Sequence, residues 1–308
     1  MKAFLRLIRW QNLLFIFVTQ ILFEYCVIIP AFTAANAQPN LQSPYIFLLA
    51  LSSMLIAGGG NIINDYFDVN IDQINKPKKL IIGKYIHRHW AILYHILFSV
   101  IGVALGFWIE YKTRAHLLGF TNLLCVALLF LYSIVLKRKP LSGNFLIAVL
   151  TAWTVLVVTF CESNRLLTNS TLLESAKIFR LTCLYAGFAF IISLVREMIK
   201  DMEDVEGDRH YDCRTFPILF GMNAAKIYSA TWLGALIALI VIMIFYILQF
   251  QWWFAAAYCV IFILIPSLLI LKKLLKANHN NDFHALSSSV KWLMLTGILS
   301  LIFLLIKK

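Results

Sequence analysis

Nine stretches of this chain are almost wholly apolar, and each is near the length of a membrane crossing. They run over about 12–35, 44–63, 89–110, 115–135, 142–162, 178–195, 222–248, 252–271 and 289–306. A helix needs about twenty apolar residues to span the hydrocarbon core of a bilayer. The pattern therefore predicts an all-α polytopic membrane protein with about nine transmembrane helices. A β-barrel would show short segments of alternating polarity instead. Gly58-Gly59-Gly60 falls near the end of the second stretch. Three glycines in a row let backbone or ligand come close, and they weaken a helix. The whole chain, 1–308, reads as a single membrane domain.

Composition agrees with the pattern. The chain is 61% hydrophobic and 14% charged, with a net charge of +12, and its mean hydropathy is +0.81. A soluble domain carries about 25% charged residues. In a soluble protein the positive charge would raise nucleic acid as a partner. Here it follows topology, because Lys and Arg collect on the cytoplasmic side and against anionic lipid headgroups; no nucleic-acid partner is expected. With the N-terminus in the cytoplasm, twenty of the 27 basic residues fall on that side. The opposite side keeps Lys112, Arg114, Arg165, Lys177, Arg180, Lys307 and Lys308. The expected location is the cytoplasmic (inner) membrane, with the N-terminus and the polar loops inside. Lys2, Arg6 and Arg9 precede the first stretch without a small-residue cleavage site, so a retained helix is expected rather than a signal peptide. The six cysteines, Cys26, Cys125, Cys161, Cys183, Cys213 and Cys259, have no metal-ligand spacing and read as small buried hydrophobes.

The acids are distributed unevenly. Of fifteen, ten lie in two short windows. The first holds Asp65, Asp68 and Asp72; the second holds Glu197, Asp201, Glu203, Asp204, Glu206, Asp208 and Asp212. Such a concentration points to divalent cations, and through them to a phosphorylated substrate. In the first window Asn64, Asp68 and Asp72 are spaced i, i+4, i+8 and share one helix face, with Asp65 at its border. Such a row can hold Mg²⁺ through one or two carboxylates while water and phosphate complete the shell. In the second window Asp204 and Asp208 are again i, i+4, one turn after Asp201. Seven acids this close repel one another unless cations neutralise them. A solvated helix end is the bland alternative for either window alone, and two matched windows weaken it. Asp65, Asp68 and Asp72 repeat the internal spacing of Asp201, Asp204 and Asp208 at an offset of 136 residues. That suggests an ancient duplication of a four-helix unit, with the ninth helix appended.

Bases adjoin both windows. Arg9, Lys76, Lys137 and Lys200 are the candidates for contact with a diphosphate, which needs direct Lys or Arg contacts as well as Mg²⁺ and is stabilised by them as a leaving group. Most other bases serve as membrane anchors. The seven histidines form no ligand cluster. Glu24 lies inside the first stretch and Glu162 at the end of the fifth; an acid in lipid is costly and often functional, and a packed polar contact is the equal alternative for Glu24. A few of the 44 aromatic rings could line a pocket and stabilise an allylic cation.

These residues resemble the UbiA superfamily of intramembrane prenyltransferases. Asn64-Asp65-Tyr66-Phe67-Asp68-Val69-Asn70-Ile71-Asp72 fits its first motif, NDxxDxxxD, and Asn75-Lys76-Pro77 its continuation. Tyr132-Ser133, Leu136-Lys137-Arg138 and Gly143-Asn144 are similar to the middle signature. Arg196-Glu197 through Lys200-Asp201, Glu203-Asp204 and Gly207-Asp208 resembles the second motif, and Arg9 with Asn12 matches a first-helix pattern. The resemblance implies helices around a central cavity open to lipid. It implies Mg²⁺ bridging the Asp motifs to a polyprenyl diphosphate, and attack of an acceptor on an allylic, cation-like carbon. Asn64, Asp68, Asp72, Asp204 and Asp208 then hold the diphosphate and Mg²⁺, with Asp65 and Asp201 further metal ligands or their close neighbours. Arg9, Asn12, Lys76, Lys137, Lys200 and Asp201 line the substrate.

The second-motif form is nearest the digeranylgeranylglyceryl phosphate synthase branch, whose acceptor is a glycerol-phosphate lipid. The aromatic-acceptor branch, including 4-hydroxybenzoate polyprenyltransferases, is the alternative. Lys79-Leu80-Ile81-Ile82-Gly83 lacks the prolines many members carry there, and Arg214-Thr215 replaces a common Lys-Thr. A transporter is the non-enzyme alternative, but transporter acids gather near the membrane midplane and these lie at helix ends. A CDP-alcohol phosphotransferase would need an Asp-Gly…Ala-Arg element that the chain lacks.

Overall fold

The computed structural model describes residues 2–75, 80–168 and 172–305, and every long element in them is helical. Eight helices are long and apolar enough to cross a membrane: α1 Trp10–Ala34, α2 Tyr45–Asn75, α3 Arg88–Thr113, α5 Ser142–Cys161, α6 Leu172–Glu203, α7 Met222–Leu248, α8 Trp253–Lys276 and α9 Asn280–Leu304. The ninth, α4 Leu118–Ile134, has 17 residues, the short end of the range that spans a bilayer. Large apolar side chains such as Phe245, Phe254 and Trp292 stand exposed. In water such a surface would drive association; on an integral membrane protein it is solvated by lipid.

The helices extend beyond the apolar stretches at the places that matter. α2 continues to Asn75, so the first acidic window is helical throughout. The three glycines do not stop it because neighbouring side chains occupy the space a Cβ would need. A Cβ on Gly58 would lie 3.2 Å from the Phe98 ring, and one on Gly60 would lie 2.7 Å from Leu129. Small residues are what let membrane helices approach this closely. α6 likewise runs on to Glu203, into the second window. α9 starts at Asn280 rather than at 289, because its first turns are polar outside and bury Phe283 and Leu286 inside. Asp282 caps them, accepting the backbone N–H groups of Asn278 at 3.1 Å and His279 at 3.0 Å.

The chain forms two compact units: Met1–Arg138 with Trp153–Leu184, and Lys139–Ala152 with Tyr185–Lys308. In the first, α2 packs against α1, α3 and α4. Ser52 Oγ donates to the Gly102 carbonyl at 2.6 Å, and Asn122 Nδ2 donates to Ser52 Oγ at 2.9 Å, so one polar chain ties α2, α3 and α4. Glu162 is a packed contact: its two oxygens accept the Asn40 and Leu41 N–H groups at 2.7 and 2.8 Å. Glu24 is fully buried at the start of a π-turn, Glu24–Ile28, and neither carboxylate oxygen has a hydrogen-bond partner. In the second unit, Val195, Met198, Ile199 and Met202 of α6 pack with Ala225 and Leu233 of α7, Leu274 of α8, and Phe283 and Val290 of α9.

Candidate active site

The first motif is built on the last turns of α2. Asn64 and Asp68, one helical turn apart, meet directly: Asn64 Nδ2 donates to Asp68 Oδ2 at 2.8 Å. Lys137 Nζ, from the short turn Leu136–Arg138 after α4, ion-pairs with that same oxygen. Asn64 and Asp68 are buried, and Asn64 Oδ1 has no hydrogen-bond partner. An orphaned buried acceptor beside a carboxylate suits a cation. Asp72 follows one turn on, half-buried. Burial alone would lower the Lys137 pKa, but Asp68, with Tyr132 and Asp72, holds the ammonium above its ordinary value. Arg9 Nη2 binds Asp65 Oδ1 at 2.7 Å. The Asp65 charge, against burial, keeps that guanidinium above its ordinary pKa. Asn12 donates its backbone N–H to the Arg9 carbonyl at 2.8 Å, at the entrance to α1. Lys76 lies outside the described residues.

The second motif starts on α6 and ends on a separate short helix, Val205–His210. Asp204 sits at the break, with φ −98° and ψ 4°. The i, i+4 relation survives the break, because the Asp208 N–H still donates to the Asp204 carbonyl at 3.1 Å. Asp208 is buried. Several of the seven acids have specific partners. Glu197 Oε1 accepts from Arg196 at 2.9 Å and from Lys200 at 2.6 Å. Glu203 pairs with His284 Nδ1 at 2.9 Å. Asp201 Oδ2 accepts from Asn144 Nδ2 at 2.7 Å. Lys200, expected on the diphosphate, therefore also serves Glu197.

Asn144 is the residue that sequence reasoning quoted without giving it a part. It is buried at the start of α5 and holds an acid 57 residues away. Its place in the middle signature was the available signal. Among the described residues no three His, Cys, Asp or Glu side chains close into a ready-made metal cage. The donors are all oxygen, which fits Mg²⁺, an ion that keeps water and takes one or two carboxylates plus substrate phosphate.

The digeranylgeranylglyceryl phosphate synthase of Methanosphaera stadtmanae is 28% identical over 275 residues, covering 88% of this chain and 92% of that one. The protein of the same name from Methanococcoides burtonii is 31% identical over 277 residues, 84% of this chain and 87% of that one. Among solved structures, a UbiA homologue from Archaeoglobus fulgidus bound to GPP and Mg²⁺ matches with a TM-score of 0.61 at 14% identity, over 97% of this chain and 99% of that one. The pattern of the UbiA prenyltransferase family extends over residues 25–302. A match of that extent takes in both acidic windows and most of the chain, beginning within α1, and the chain belongs to the UbiA prenyltransferase family.

Proposed function

We propose that this protein transfers a polyprenyl group from a polyprenyl diphosphate to the hydroxyl of a membrane-associated glycerol-phosphate lipid, in a Mg²⁺-dependent reaction. Membership of a prenyltransferase family makes it a transferase of the EC 2.5.1 class. The acceptor reading rests on one observation, the digeranylgeranylglyceryl phosphate synthases that align with 84% or more of the chain.

In this reading Asn64, Asp68 and Asp72 from the first motif, and Asp201, Asp204 and Asp208 from the second, hold Mg²⁺ and the diphosphate. The ion would neutralise charge that builds on the departing diphosphate. Lys137 has a second task. Its ammonium, held cationic by Asp68, would donate to phosphate oxygens when the diphosphate arrives. Lys76 and Lys200 add charge, and Asn12, beside Arg9 at the entrance to α1, completes the substrate side of the first motif. The C–O bond to the diphosphate breaks, and its electron pair leaves with the diphosphate. The acceptor oxygen bonds to the allylic carbon, its proton departs, and an ether forms. Lys and Arg contacts stabilise the leaving group because they meet charge where it develops.

Residues 1–308 act as one domain in this proposal, in the cytoplasmic membrane, with the N-terminus and both Asp windows on the cytoplasmic side. The twenty-to-seven distribution of basic residues supports that orientation. The test is incubation of purified protein with labelled prenyl diphosphates and a panel of lipid and aromatic acceptors. A prenyl ether of the glycerol phosphate is expected. A C-prenylated aromatic acid without any ether would transfer the protein to the aromatic branch. Full turnover in EDTA would remove the metal mechanism.

A further inference from the structure

The turn ahead of α1 is fastened to the first motif in three independent ways. Arg9 ion-pairs with Asp65 at 2.7 Å. Asn61 Nδ2, one turn before Asp65 on α2, donates to the Ile8 carbonyl at 3.1 Å. Leu7 and Ile8 are buried in a cluster with Ile62, just before the motif, with Val69 inside it, and with Ile82 from the segment after it. Arg9 itself is in the left-handed region, φ 53°. A residue with a Cβ adopts that conformation at a cost and needs surrounding contacts to hold it there. Those contacts are present: the Arg9 N–H donates to the Arg6 carbonyl at 3.0 Å, the Asn12 N–H to the Arg9 carbonyl at 2.8 Å, and the guanidinium to Asp65.

We propose that Arg9 is a positioning residue that acts through Asp65 and does not bind the diphosphate directly. The ion pair draws the Asp65 carboxylate to the border of the oxygen row. Asn64, Asp68 and Asp72 are then left to supply the ion, at the spacing of successive helical turns. The inference rests on the reading of the first motif as a Mg²⁺ site.

The experiment is a double-mutant cycle with two readouts on the full chain in detergent. The first is Mn²⁺ binding without substrate, followed by electron paramagnetic resonance and displaced by Mg²⁺. The second is steady-state kinetics with the prenyl diphosphate. Residues that act as one unit give non-additive effects. Arg9→Ala and Asp65→Ala are each expected to weaken Mn²⁺ binding and kcat/KM by about tenfold, and the double variant by no more than either alone. The charge swap Arg9→Asp with Asp65→Arg should recover most of the loss, which guards against simple misfolding of the alanine variants. If Arg9→Ala raises the KM for the diphosphate by the same factor in the Asp65→Ala background, leaving Mn²⁺ binding unchanged, Arg9 binds substrate itself and the proposal fails. Absence of Mn²⁺ binding in the unaltered protein would instead overturn the metal reading beneath it.

Discussion

Asp68 receives two donors on a single oxygen, Asn64 Nδ2 and Lys137 Nζ. That convergence makes it the most informative residue of the first motif. Removing it leaves a half-buried ammonium without its anion and deletes a metal oxygen at once. Asp68→Ala is expected to cost roughly two to three orders of magnitude in turnover, since lost electrostatic stabilisation at one group is worth ~3 kcal/mol or more. Asp208→Ala, also buried and in the second motif, should cost a similar factor. Steady-state kinetics at saturating Mg²⁺ measures both. The i, i+4 spacing made the Asn64–Asp68 contact legible in the sequence. The Lys137 contact spans 69 residues and the Asn144–Asp201 contact 57. No local periodicity encodes such pairs. Their partners become visible only when helices pack.

Helices show the same division. Their existence followed from apolar length, because lipid leaves a chain few ways to satisfy its backbone. Their ends did not. α2 has 31 residues, about 46 Å at 1.5 Å per residue, against about 30 Å of hydrocarbon. The surplus is polar, so an apolar count stops short of it, yet it carries the first motif. The break at Asp204 was less visible, because Gly207, the nearest helix breaker, lies three residues beyond it. Close approach is a further property of elements. A Cβ on Gly106 of α3 would lie 2.4 Å from Asn122 Nδ2 and 3.3 Å from the Gly119 backbone of α4. Gly106→Val should therefore displace Asn122 from Ser52 and part the two helices. Overpacking of this kind costs about 1–3 kcal/mol, read as a lowered Tm in detergent. Gly234, with nothing within 4 Å of an added Cβ, should accept alanine with little change.

For the molecule as a whole, charge bias predicts which side of the membrane the motifs occupy. Asn70 and Arg209 are both exposed near the two motifs. In a cysteine-free background, Asn70→Cys and Arg209→Cys should be labelled by impermeant reagents only when the cytoplasmic face is open. Labelling from the outer face alone would invert the topology. The contact made by Glu162 has a consequence for synthesis on the ribosome. Its carboxylate fastens Asn40 and Leu41, and Gln20 Nε2 reaches the Thr154 carbonyl at 3.2 Å. Asn40 and Glu162 are 122 residues apart. At about 5–20 residues per second, Asn40 waits roughly 6–24 seconds for its anion. Through that interval Gln20 lacks the Thr154 carbonyl and Glu24 its final surroundings. A nascent chain stalled before residue 154 would thus present polar groups inside lipid, the feature by which membrane quality control could distinguish an unfinished copy from a complete one.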